Sequence, residues 1–156
     1  MMIHIRKMEA KDYPSVDQLM QQLHLIHVKG RPDMYRNMEH PYSLKEFEEK
    51  VEDEECISVL AETEEKRIAG ICFVQMRNKT NMIYKRTAYM DDLIVDERYQ
   101  QQGIARLLFE EAEKEAKRLG AERLDLMVWG FNEKALKFYE TMGMKPQRYI
   151  YEKNIK

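Results

Sequence analysis

At 156 residues with a formal net charge of −2, the chain is sized for a single domain and lacks the basic excess of a nucleic-acid surface. Two cysteines, Cys56 and Cys72, fit no zinc spacing and argue against a disulfide framework. With no charged-then-apolar leader and no run long enough to cross a bilayer, a cytoplasmic protein without a membrane partner is expected.

Met2 to Met8 reads as a first strand. Asp12 or Ser15 opens a helix with Val16, Leu19, Met20 and Leu23 at helical spacing, and Lys29-Gly30 is its stop signal. Arg31 to Arg36 has no clean period and reads as a turn or short helical piece. Ser43 then caps an acidic helix from about Leu44 to Glu52, with Glu46 placed for a capping box. Cys56–Glu62 and Ile68–Met76 are strands joined at Glu64-Glu65-Lys66. The second is apolar on both faces, which suggests a central position. A fourth strand spans roughly Tyr89 to Val95. Helix Gly103–Leu119 follows, with Ile104, Leu107, Leu108, Ala112, Ala116 and Leu119 along one stripe and Gly120 as a left-handed cap. Leu124 to Trp129 is the next strand, Asn132 to Met144 a helix capped at both ends, and Tyr149 to Glu152 a closing strand. Hairpin and helical connections together imply an α/β (α+β) fold, a mixed sheet with helices on both faces.

The chemistry concentrates at two places. Gln100-Gln101-Gln102-Gly103-Ile104-Ala105-Arg106 is a polar turn opening directly into a helix. Gly103 lacks a Cβ, and the first helical amides have no intrahelical partner, so the turn is a main-chain cradle for phosphate. About thirty residues on stands Asn132-Glu133-Lys134-Ala135-Leu136-Lys137-Phe138-Tyr139-Glu140-Thr141-Met142-Gly143. The pair Gln-x-x-Gly-x-Ala and Asn-x-x-Ala-x-x-x-Tyr-x-x-x-Gly resembles the Gcn5-related N-acetyltransferase (GNAT) family in order and spacing. Ile5-Arg6-Lys7 followed by Asp12 is similar to that family's opening strand and helix.

The resemblance implies a single N-acetyltransferase domain over 1–156, its mostly antiparallel sheet splayed between strands 4 and 5. It implies acetyl-CoA as cosubstrate with no metal, an amine-bearing acceptor, and direct attack in a ternary complex. A homodimer through the last strands follows from the same resemblance. It assigns the cofactor arm to the main chain of Leu93, Ile94 and Val95, and the pyrophosphate to Gln100, Gln101, Gln102, Gly103, Ile104, Ala105 and Arg106. Asn132 caps its helix and reaches the arm. Tyr139 stands as the acid that protonates the leaving thiolate. Gln100 takes the place of a motif arginine, so backbone amides carry more of the phosphate binding, with Arg98 and Arg106 near enough to compensate.

The base is less well marked. Asp91 and Asp92 sit at the start of the fourth strand, where alternation puts one on each face. Asp92 is taken as the base, with Asp91 or a water relay as alternatives. His24 and His27 share a helix face, with His40 the nearest third histidine; a border of the acceptor pocket and plain surface both fit them. The acidic excess between Arg31 and Glu55 suits a cationic amine or simply a wet helix face. Met127 stands where one subgroup, the ribosomal-protein alanine acetyltransferases, has a glutamate base. A small-molecule amine is therefore preferred over a protein or peptide N-terminus, and a non-catalytic acyl-CoA-binding module is the alternative from another class.

Overall fold

Alternation of apolar residues along the strands and 3.6-residue stripes along the helices produce a sheet packed on both faces. The computed structural model describes residues 2–156. Its elements are β1 (Ile3–Lys7), α1 (Tyr13–Gly30), α2 (Leu44–Glu52), β2 (Cys56–Thr63), β3 (Ile68–Asn78), β4 (Arg86–Val95), α3 (Ile104–Arg118), β5 (Arg123–Leu126) and α4 (Glu133–Thr141). The strand order is β1-β2-β3-β4-β5, antiparallel throughout except for the parallel β4–β5 pair. This is the expected mixed, mostly antiparallel sheet, and β3 lies at its centre.

Each sheet face carries its own core. On one, Ile71 and Phe73 meet Val16, Leu19 and Phe47 from α1 and α2. On the other, Cys72, Val74 and Met90 meet Ile104, Leu108 and Phe109 from α3, with Phe138 and Tyr139 of α4 against them. Local signals set the helix ends. Ser43 and Glu46 form the capping box at α2, and the Asn132 side chain accepts from the Ala135 amide at 3.2 Å at the start of α4. Arg6 binds both carboxylate oxygens of Asp12 at 2.9 Å and Glu62 at 3.1 Å, tying the first two strands to the start of α1.

Four sequence expectations need correction. β4 begins at Arg86 rather than Tyr89, so Asp91 and Asp92 lie deep within it. β5 stops at Leu126, and Leu126 pairs with Met90 as its last partner. The closing strand Tyr149–Glu152 is absent; this segment is exposed coil, because no neighbouring strand takes up its backbone hydrogen bonds. On α3, Leu107 is 41% exposed and Phe109 takes the core position, since the stripe turns slightly from the expected one.

Candidate active site

The sheet opens where β5 ends. β4 runs on for Asp91–Val95 with no β5 partner, which is the splay expected between strands 4 and 5. The Asp96 amide donates to Ala69 O at 2.8 Å, so Asp96, Ile94 and Asp92 direct their backbone groups to β3. The period of two then turns the N–H and C=O of Leu93 and Val95 into the gap. Of the three residues expected there, Ile94 is committed to the neighbouring strand.

Past Val95 the chain makes a short helical turn at Glu97–Tyr99, capped by the Asp96 side chain, and reaches Gln100. Gln101 and Gly103 both take left-handed backbone, at φ 62° and 78°. These two reversals aim the start of α3 at the gap. The Leu107–Gly103 bond, at 3.2 Å, is the first of the helix, so the amides of Ile104, Ala105 and Arg106 precede any intrahelical partner. A Cβ built on Gly103 meets nothing within 4 Å. The glycine is thus required by its backbone angle, and the space before it stays open for a ligand. Three free amides, a helix N-terminus and an open approach fit a phosphate group without help from a metal. Among the described residues no three His, Cys, Asp or Glu side chains are grouped as metal ligands would be.

The cations near this turn differ from those expected. Arg98 is held by Asp96 at 2.8 Å, and Arg106 lies beside Glu110 at 3.4 Å. The lysine at the turn is Lys134 of α4, whose Nζ donates to Gln100 Oε1 at 2.7 Å while Gln100 Nε2 donates to Val95 O at 3.3 Å. Gln100 therefore bridges the end of β4 and the first turn of α4 across the mouth of the splay. The sequence signal for Lys134 is its place two residues after the capping Asn132.

Tyr139 of α4 packs on Phe109 and Phe138, with ring centroids 6.4 and 5.4 Å away. Burial, then neighbouring Cys72 and Asp92, push its phenol above the ordinary value, so it stays protonated through the neutral range.

On the α1–α2 side stands the second titratable group. A bulge in β4 pairs Phe73 with Asp92 and Val74 with Met90, leaving Asp91 as the extra residue. The bulge breaks the alternation expected to separate the two aspartates, and Lys50 acts on both. Asp92 accepts from the Tyr42 hydroxyl at 2.6 Å. Burial pushes the Asp92 carboxyl up to about 6, the Tyr42 bond and Lys50 pulling down and Asp91 adding to the rise. Asp91 is raised by burial against the pull of Lys50 and Arg77. Tyr42 is held in turn by Tyr13, which donates to its carbonyl at 2.8 Å, and by its edge-on contact with Phe73.

The segment between α1 and α2 folds over this region. Trp129 Nε1 donates to the Tyr35 hydroxyl at 2.8 Å, and Arg31 lies 5.0 Å from the Trp129 ring. His27 stacks on Tyr35, His24 Nε2 meets Arg36 O at 2.6 Å, and His40 pairs with Asp17. The three histidines thus have separate partners. Met127 is 70% exposed, just past the end of β5.

Residues 20–144 match the Acetyltransferase (GNAT) family. The L-ornithine N5-acetyltransferase of Arabidopsis thaliana is 33% identical over 66 residues, which is 42% of this chain and 29% of that enzyme. A crystal structure of a point mutant of the BH1408 protein from Bacillus halodurans superposes with a TM-score of 0.92. It is 30% identical and covers 97% of this chain and 99% of its own. An aminoglycoside N-acetyltransferase in complex with CoA has the same fold, with a TM-score of 0.77 at 18% identity over 99% of this chain and 95% of its own. The chain belongs to the GNAT family of acetyltransferases.

Proposed function

We propose that this member of the acetyltransferase family moves an acetyl group from acetyl-CoA to the primary amine of a small molecule, with donor and acceptor bound together. The observation that carries the reading is the unpaired stretch of β4. It lies between a helix start with free amides on one side and the half-buried Asp92 carboxylate, its pKa raised, on the other.

Acetyl-CoA supplies the thioester; the chain supplies placement and protons. The turn Gln100–Gly103 and the amides of Ile104, Ala105 and Arg106 hold the pyrophosphate. The backbone groups of Leu93 and Val95 pair with the cofactor's arm, and the Leu93 amide is the donor aimed at the thioester carbonyl. Asn132 fixes the start of α4 and through it the height of Tyr139. Tyr139 gives its proton to the departing thiolate. Its raised pKa keeps the proton on the ring until the sulfur, with an ordinary thiol pKa near 8.5, takes on charge beside it. Asp92, ionised above pH about 6, takes the proton of the attacking amine through water, while Asp91 adds negative charge that draws a cationic acceptor.

Two observations favour a small amine. The relative from Arabidopsis thaliana is named for L-ornithine. Met127, exposed beyond β5, offers no carboxylate where the subgroup acting on ribosomal proteins has one.

Thermal denaturation with acetyl-CoA, then thiol release over an amine panel, tests the reading. Saturation at a hundred times the Kd adds about 2.7 kcal/mol of stability. Absence of any shift rejects the cradle. A shift with no turnover of diamines, amino sugars, diamino acids or peptides leaves a non-catalytic acyl-CoA module. Turnover of peptides alone assigns a protein acceptor.

A further inference from the structure

Residues 31–43 form no regular element beyond a turn, yet they are fastened along their length. His24 Nε2 meets Arg36 O at 2.6 Å, His40 Nδ1 meets Asp17 Oδ2 at 2.8 Å, and the Tyr13 hydroxyl donates to Tyr42 O at 2.8 Å. The partners step back along α1 as the segment steps forward. The segment is therefore a strap laid against the helix.

Its two ends reach opposite sides of the splay. The Tyr42 hydroxyl donates to Asp92, in β4, at 2.6 Å. Earlier in the strap, the Tyr35 hydroxyl accepts from Trp129 Nε1 at 2.8 Å, in the chain that leaves β5. The second fastening is built into a block of rings. Tyr35 stacks on His27 with centroids 5.1 Å apart, and Trp129 stacks on Phe131 at 6.0 Å. The Phe131 ring fills the place that a Cβ on Gly30 would take, so only glycine lets the last turn of α1 seat there. The end of α1, the strap and the turn after β5 thus meet at one point.

This meeting point bounds the acceptor side. An acceptor amine has to come within reach of Asp92, at one end of the strap, and the ring block stands at the other. From Tyr35 to Tyr42 the chain spans at most about 25 Å when fully extended, and its bends shorten it. An extended peptide of the same length needs that whole span, whereas a diamine or a diamino acid needs a fraction of it.

We propose that Tyr35 and Trp129 are the residues that limit acceptor length: their contact shuts the far end of the site, so an amine is acetylated only when the rest of its molecule fits between that contact and Asp92. This rests on the proposed transfer to an amine and names the acceptors as short diamines and diamino acids. The histidines act through the strap. His24 and His40 hold it against α1, and His27 backs the Tyr35 ring.

Trp129 is the one tryptophan of the chain, so its fluorescence reads the contact without any turnover. Tyr35→Ala is expected to raise acrylamide quenching of that fluorescence and to leave circular dichroism unchanged, since Tyr35 belongs to neither core. With acetyl-CoA saturating, kcat/KM is compared for a diamine, a diamino acid and peptides of rising length that carry the same terminal amine. The unaltered protein is expected to favour the short amines, and Tyr35→Ala to narrow that preference by about tenfold or more. His40→Ala, at a side chain 57% exposed, loosens the strap and is expected to narrow the preference in the same direction; it decides the matter if Tyr35→Ala does not fold. Unchanged quenching in a folded Tyr35→Ala protein, or raised quenching with the preference unchanged, overturns the proposal and leaves acetyl transfer standing. So does an unaltered protein that turns over long peptides as readily as diamines. Turnover of no amine at all removes the acetyl-transfer reading, and the proposal with it.

Discussion

The two walls of the splay are built on different principles. The wall that faces the proposed donor is made of main chain: two left-handed residues, three free amides and the gap-facing groups of Leu93 and Val95. Its pieces come from one continuous stretch, 93–106, and from the capped start of α4. The wall that faces the proposed acceptor is made of side chains drawn from far apart: Tyr42, Lys50, Asp91, Asp92 and Trp129 with Tyr35. A backbone cradle tolerates any side chain that keeps its angles, so this wall suits a ligand common to a family. A side-chain wall changes with each substitution, so it suits an acceptor that differs between members.

The contrast is broken most strongly at Asp92. Asp92→Asn keeps an acceptor for the Tyr42 hydroxyl but removes the base, and turnover is expected to fall by about two to four decades. Acetyl-CoA binding, followed by thermal shift, is expected to stay as it was. An equal loss of acetyl-CoA affinity would merge the two walls into one. The pH profile sharpens the same point. A base titrating at about 6 makes kcat/KM rise as pH passes upward through 6, and this limb is expected to vanish in Asp92→Asn. Stability runs the other way. The folded carboxyl holds its proton above the unfolded value near 3.9, so folding is favoured below that value and loses this contribution as pH rises through about 6. Urea midpoints of the two proteins across that window check the sign.

Tyr139→Phe comes next, with kcat expected to fall by about one to three decades and acetyl-CoA affinity almost unchanged. The ring packing on Phe109 and Phe138 is kept, so a drop in Tm in place of a drop in kcat would return this residue to the core.

Gly103→Val strikes the main-chain wall. The added Cβ has room, but a β-branched residue at φ 78° is strained, and relief of that strain turns the amides away. Acetyl-CoA affinity is expected to drop by about tenfold or more, in line with a strain of 1–2 kcal/mol, measured by isothermal titration. Normal affinity in a folded Gly103→Val protein would remove the cradle. Lys134→Ala is the mildest case. It removes an exposed bridge to Gln100, and only a few-fold weakening of acetyl-CoA binding is expected, greatest at low salt.

Local signals made much of this molecule readable. The capping box at Ser43–Glu46, the Asn132 cap and the glycine before α3 are short-range devices, and each forms where its residues stand together in the chain. The same holds for the central place of β3, since a strand apolar on both faces has nowhere else to go. The errors lie where the outcome rests on a distant neighbour. The tail 149–152 has strand composition but no ladder to join, so it stays coil in the single chain. Leu107 and Phe109 exchange places because the roll of α3 is set by what it packs against.

By itself, then, the sequence determined the capped starts of α2 and α4, the central place of β3 and the glycine turn before α3, because capping, alternation and backbone angle act within a few residues. Only the tertiary structure decided the acceptor wall. The bulge at Asp91 arises from the register of β4 against β3, and Lys50, more than forty residues before β4's aspartates in the chain, acts on both of them. Burial raises the Asp92 carboxyl and the Tyr42 hydroxyl, fifty residues away, pulls it back. Desolvation and long-range hydrogen bonds are properties of packed neighbours, and a linear chain does not contain them until it folds.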